Sequence, residues 1–189
     1  EKGVRKFLTD NPYGNGDWKA LRRALEYGYG RGENSLADWG RAWIENPGAP
    51  TIRIEREKTS AGLRLNVSQT APDGSPGRWP LQLAIGGLAG ARLDVRPLAM
   101  NTGTATMDVS GVTPFLHPNA GVAAYGHFLL DEESLGFALS ELPSLRDPVV
   151  RAQVWEAIWG HVQAAEIKPR AHLFLCLLYT SPSPRDRNV

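Results

Sequence analysis

The chain has 189 residues, 42% of them hydrophobic and 22% charged, with a formal net charge of +1. That composition fits a soluble globular protein of one ordinary domain or two small ones. The near-neutral charge argues against nucleic acid as a partner, and no stretch nears the ~20 uninterrupted apolar residues of a membrane span. The only cysteine, Cys176, excludes an internal disulfide.

The pattern has three regions. In the first, Val4, Phe7 and Leu8 recur at helical spacing before the breaker Asn11-Pro12-Tyr13-Gly14-Asn15-Gly16. Asp17 is expected to cap a second helix from Trp18 to about Tyr27, with Leu21, Ala24 and Leu25 on its inner face and Gly28, Gly30 and Gly32 ending it. Ser35 is expected to cap a third helix, with Leu36, Trp39, Trp43 and Ile44 inward and Asn46-Pro47-Gly48-Ala49-Pro50 stopping it. The opening residues read as the interior of a helix without an initiator Met, so the natural start is expected to lie upstream.

The second region alternates with a period of two. Ile52 and Ile54, Leu63 to Val67, Leu81 to Ile85, and Leu93 and Val95 put apolar residues on one face. Thr104 to Val109, Thr113 to Leu116 and Tyr125 to Leu130 are further short strands. Turn signals at Ser60 to Gly62, Pro72 to Gly77, Gly86-Gly87, Asn101 to Gly103 and Pro118 to Gly121 separate them. About seven half-buried strands predict a small β-sandwich.

The third region returns to helix. Asp131-Glu132-Glu133 places acids at a helix start, where the macrodipole favours them, and Leu135, Leu139 and Leu142 follow. Asp147-Pro148 reads as a cap and first-turn proline, opening a helix with Val150, Val154, Ala157, Ile158 and His161 on one stripe, ending near Glu166. Ala171 to Leu175 reads as the start of another helix. Cys176 to Val189 resembles the translation of a sequencing-library adapter and is expected to be a disordered tail without function.

No reaction can be read from the residues themselves. His117, His127, His161 and His172 form no H-E-x-x-H pair, and no G-x-S-x-G elbow is present. His117 and His127 flank a turn but lack an evident third ligand. Asn66-Val67-Ser68 is a formal glycosylation sequon in a strand. The six tryptophans are better read as core and packing residues than as a sugar-binding platform, since only Trp79 lies in the strand region.

Several strings, in order, resemble the aminopeptidase-N family of zinc metallopeptidases. Gly3 to Asn15 looks like the family's late catalytic-domain helix and its Asn-rich turn, and Asp17-Trp18-Lys19-Ala20-Leu21 like the next helix start. Leu36 to Pro50, with Trp39, Trp43 and Gly48-Ala49-Pro50, looks like the close of that domain. Leu65 to Gln69 and Arg78-Trp79-Pro80-Leu81 fall where the family has matching strands, and Asn119 with Tyr125 to Asp131 lies before its helical domain. Leu145 to Arg151, then Trp155 and Trp159, look like that domain's early helices. Two departures stand out: Tyr125 precedes Gly126 where the family often has Gly before Tyr, and the Trp79-Pro80 spacing is compressed.

The resemblance implies an α+β multi-domain fragment: residues 1–48 closing a catalytic domain, 49–130 a seven-stranded antiparallel β-sandwich, 131–175 the start of a C-terminal α-helical array, and 176–189 the tail. It implies removal of N-terminal residues from peptide substrates by a parent protein whose zinc activates water. The family's zinc and amine-binding motifs lie upstream of these residues. No catalytic, cofactor-binding or metal residue is therefore assigned, the fragment alone is expected to bind no zinc and to be inactive, and a cytoplasmic location is expected. The alternatives are a non-catalytic β-sandwich interaction module, a family member without zinc, or a carbohydrate-binding sandwich.

Overall fold

A computed structural model describes residues 1–31, 36–89, 92–122, 124–142, 145, 147–170 and 173. The Ser35 cap, His172, the tail from Cys176 and, apart from Leu173, the helix expected at Ala171 to Leu175 lie outside them. The chain divides into two compact units, Glu1–Pro47 and the residues from Gly48 onward.

The first unit is helical. Helix α1 (Lys2–Asp10) packs on α2 (Trp18–Tyr29) through small residues. A Cβ on Gly28 would lie 2.3 Å from Gly3 N, so Gly28 sits inside α2 at a close helix contact and does not end it. The predicted Asp17 cap is formed, its Oδ1 accepting from Ala20 N at 2.7 Å, and Gly30 closes α2 in the left-handed conformation at φ 73°. Helix α3 (Ala37–Gly40) runs directly into a π-helical turn, Arg41–Glu45. The extra residue in that turn rotates the stripe expected to face inward. Gly40 and Ala42 are buried, whereas Trp39 and Ile44 are exposed. Val4 and Leu8 on α1 are also exposed.

The second unit holds seven strands in two sheets, with helices after them, as expected. The four-stranded sheet has the order β5-β2-β1-β7: β1 (Thr51–Thr59), β2 (Gly62–Thr70), β5 (Thr104–Ser110) and β7 (His127–Leu129). The three-stranded sheet has the order β4-β3-β6: β3 (Leu81–Ala89), β4 (Arg92–Met100) and β6 (Leu116–His117). Pairing is antiparallel except that β7 runs parallel to β1, Thr51 opposite His127. β2 already occupies one edge of β1, and the chain returning from β6 docks on the other edge in β1's own direction.

The alternation predicted the inward faces well. Ile52, Ile54, Leu63, Leu65, Val67, Leu81, Leu83 and Ile85 are all buried, each worth about 1.5–3 kcal/mol of hydrophobic transfer. Three expectations fail. Gly86-Gly87 is not a turn; β3 passes through it, pairing with β4 on one side and β6 on the other. A Cβ on Gly86 would come within 2.9 Å of Ala120 Cβ, so the glycine permits close approach in mid-strand. Val95 is exposed, because β4 is an edge strand whose inward residues are Leu98 and Met100; Pro97 is tolerated on that edge. Thr113 lies outside any strand, its hydroxyl donating to Leu88 O and Phe115 O.

Helices α4 (Glu132–Glu141) and α5 (Pro148–Gln163) start where expected, Asp147 as the predicted cap and Asp131, read only as an acid at the helix start, as the cap of α4. Asp131 Oδ1 accepts from Ser134 N at 3.1 Å, and Asp147 Oδ1 accepts from Val149 N at 2.8 Å. Their apolar stripes, with Phe115 and Leu130, form one core of Ala138, Leu142, Leu145, Val154, Ala157 and Ile158.

Candidate functional site

Two polar constellations occur where the sheets meet α4 and α5. The first is a buried ionic seam. Arg56 projects from β1 with its side chain 9% exposed. Its Nη1 donates to Thr113 O at 2.7 Å and lies 3.0 Å from Glu133 Oε2; its Nη2 donates to Asp131 Oδ2 at 2.9 Å and to Ser134 Oγ at 2.6 Å. Nε lies 2.8 Å from Asp131 Oδ1. The Ser134 hydroxyl donates to Asp131 Oδ2 at 2.5 Å and accepts from Leu116 N at 2.8 Å. One arginine and one serine thus tie β1, β6 and the start of α4 together. Both terminal nitrogens of Arg56 are hydrogen-bonded, while Nε faces Asp131 without hydrogen-bond geometry; the paired carboxylates are what make its burial tolerable.

The seam continues to α5. His161 is 2% exposed; its Nε2 accepts from Leu130 N at 2.9 Å, which places the proton on Nδ1, 2.7 Å from Glu166 Oε2. Glu166 also pairs with Arg53. The Arg53 hydrogen bond, aided by His161, holds the Glu166 carboxyl below its ordinary range against the opposing effect of partial burial. This resembles an acid–histidine dyad, but the position a nucleophile would occupy is filled by a backbone N–H. The geometry orients a strand; it activates nothing.

The second constellation is a cleft beside α5, lined by His117, Asn119, Tyr125, His127, Phe128, Gln153, Glu156 and Trp159, among others. Asn119 is its hub. The Asn119 side chain closes the loop by donating to Ala124 O at 2.8 Å and accepting from Ala124 N at 3.0 Å. Its backbone N–H donates to His117 Nδ1 at 3.1 Å, and its carbonyl accepts from Gln153 Nε2 at 3.1 Å. Each bond fixes an orientation: His117 carries its proton on Nε2, and Gln153 turns Oε1 away from Asn119. Both of those atoms are buried without a hydrogen-bond partner among the described residues, a penalty of about 1–3 kcal/mol each. Burial pushes the His117 imidazole down to about 4, so it is neutral near pH 7.

His117 and His127 do line one cleft, as their spacing allowed. Metal ligation at His117 Nε2 would need the proton moved to Nδ1, against the Asn119 N–H. Among the described residues no group of three or more His, Cys, Asp or Glu is arranged to hold a metal ion. Asp131, Glu132 and Glu133 start α4 as read, with Asp131 recruited to Arg56. Asn66 lies in β2, between β5 and β1. Trp79 is buried at 5% exposure, its backbone N–H donating to Gln69 Oε1 while Gln69 Nε2 donates to the Trp79 and Thr102 carbonyls. It forms no sugar platform. Trp39 and Trp159, expected to be packing residues, are exposed. No described helix is long and apolar enough to cross a membrane.

Helices leading into two sheets and out into further helices also occur in a solved aminopeptidase structure. The structure of aminopeptidase A from Legionella pneumophila in complex with aspartic acid overlays 82% of this chain and 18% of its own, with a TM-score of 0.55 at 15% identity. That match speaks for the fold. By sequence, aminopeptidase N from Streptomyces lividans is 28% identical over 196 aligned residues, 93% of this chain. The Tricorn protease-interacting factor F2 of Thermoplasma acidophilum is 33% identical over 86 residues, 44% of this chain. The chain spans 22% of the first relative's length and 10% of the second's. No family model matches. The resemblance to aminopeptidase-N-type proteins drawn from the motifs is borne out along nearly the whole chain.

Proposed function

We propose that the chain is part of a zinc-dependent aminopeptidase that removes N-terminal residues from peptides. Residues 1–48 close the catalytic domain, 49–130 are a spacer and 131–175 open a helical domain that limits substrate access. The tail from 176 to 189 takes no part. The observation that carries this reading is the alignment with an aminopeptidase N across 93% of the chain.

The described side chains suit a supporting role. Arg56 and Ser134 lock β1, β6 and α4 into one body, as a spacer holding two working domains in fixed relation requires. Zinc would supply water activation in the parent protein. The described donors do not fit it, since His161 has both nitrogens engaged and His117 has its proton on the outer one. No catalytic step is assigned to these residues.

Reading the same gene upstream of Glu1 tests the proposal. An H-E-x-x-H string followed by a further Glu is expected. A divergent string there would overturn the zinc peptidase in favour of a non-catalytic interaction module.

A further inference from the structure

We propose that the cleft between α5 and residues 117–122 and 124–128 binds a neutral carboxamide, its oxygen accepting from His117 Nε2 and its nitrogen donating to Gln153 Oε1. This site is separate from the peptidase reading and does not depend on it.

Three observations converge. A buried donor and a buried acceptor belong to residues that line the same cleft, and neither atom has a partner among the described residues. Their roles are not interchangeable. His117 Nδ1 must receive the Asn119 N–H, and Gln153 Nε2 must serve the Asn119 carbonyl. The two free atoms therefore offer one hydrogen and one lone pair, and a ligand head must supply the opposite set. Because the two side chains grip opposite ends of Asn119, a head with acceptor and donor on separate atoms spans them better than a single hydroxyl.

The walls settle charge and body. Among the described residues no lysine or arginine lines the cleft, and Glu156 does. A carboxylate would meet no cation and one like charge. His117 is neutral near pH 7, so it donates a hydrogen bond without adding charge. Tyr125, Phe128 and Trp159 give an aromatic wall for an apolar body. Tyr125 and Trp159 are exposed, at 73% and 45%, so this wall is open to an entering ligand.

The test is a titration of the 189-residue chain followed by the His117 imidazole nitrogen and proton resonances. Phenylacetamide probes a free ligand and acetyl-phenylalanine amide probes a peptide end. Saturable shifts of the His117 Nε2–H with either amide, at least tenfold weaker with phenylacetate, are expected; which amide binds tighter identifies the source. Gln153→Met, which keeps the side-chain shape, should abolish the shifts while the melting curve stays cooperative. Should that variant unfold, wild-type competition between amide and carboxylate still decides. Equal binding of phenylacetate, no saturable shift, a direct His117–Gln153 hydrogen bond, or a trapped water that the amide does not displace would overturn the proposal.

Discussion

The two units are stabilised in different ways. In Glu1–Pro47 the buried side chains are few and mostly small, while Val4, Leu8, Tyr27 and Ile44 face outward. Its ion pairs are local: Lys6 with Asp10 and Arg22 with Glu26, each at 2.9 Å and four residues apart. From Gly48 onward, Phe115, Leu142, Val154 and Ile158 are almost wholly buried, and Arg56 reaches Asp131 across 75 residues of sequence. Helices can form from local signals, but isolated helices of this length are marginal without a buried face. Stability therefore resides in the second unit.

The sharpest way to break that contrast is at the seam. Arg56→Met leaves Asp131, 7% exposed, without its cation. A loss of about 3–5 kcal/mol is expected from urea unfolding of the second unit. Glu133→Gln, at a side chain 47% exposed, should cost far less. Equal losses would show that the seam is not a desolvated network.

Next in size is the core. Ile158→Ala, at 0% exposure, should cost about 2–5 kcal/mol, whereas Val4→Ala, at 47%, should stay within about 0.5 kcal/mol. Comparable effects would mean that α1 has a buried face of its own.

Acid should separate the units again. His117 is depressed from 6.5 to about 4, so the folded state binds fewer protons than the unfolded state between those values. Its contribution is full above pH 6.5 and declines as the pH falls toward 4, by up to about 3 kcal/mol. A melting series of wild type beside His117→Gln checks this; the variant should lose that part of the slope. Smaller still is Glu166. Its depressed carboxyl gives stability that is present above the ordinary carboxylate range and lost as pH falls through the depressed value. At 34% exposure that effect should shrink in high salt.

Much of this was legible in the chain. Period-two alternation located the inward faces of β1, β2 and β3, and Asp17, Asp131 and Asp147 announced three helix starts. What escaped depends on partners distant in sequence or on backbone geometry. Gly86-Gly87 carries a turn signal but serves close packing against Ala120. The π-helical turn at Arg41 shifts a stripe that a regular helix would bury. Glu26 is buried and accepts from Leu36 N at 3.0 Å beside α3, a contact ten residues away in sequence. Arg56 sits at an ordinary polar strand position, and only the fold reveals its acids. The His117–Gln153 cleft has no motif, because the loop held by Asn119 assembles it.

The central claim is that these residues support an aminopeptidase whose chemistry is housed elsewhere. The direct measurement is turnover of an aminoacyl-amide reporter by the purified 189-residue chain supplied with zinc, with and without chelator. Rates equal to buffer in both conditions are predicted. Chelator-sensitive turnover by this chain alone would contradict the assignment.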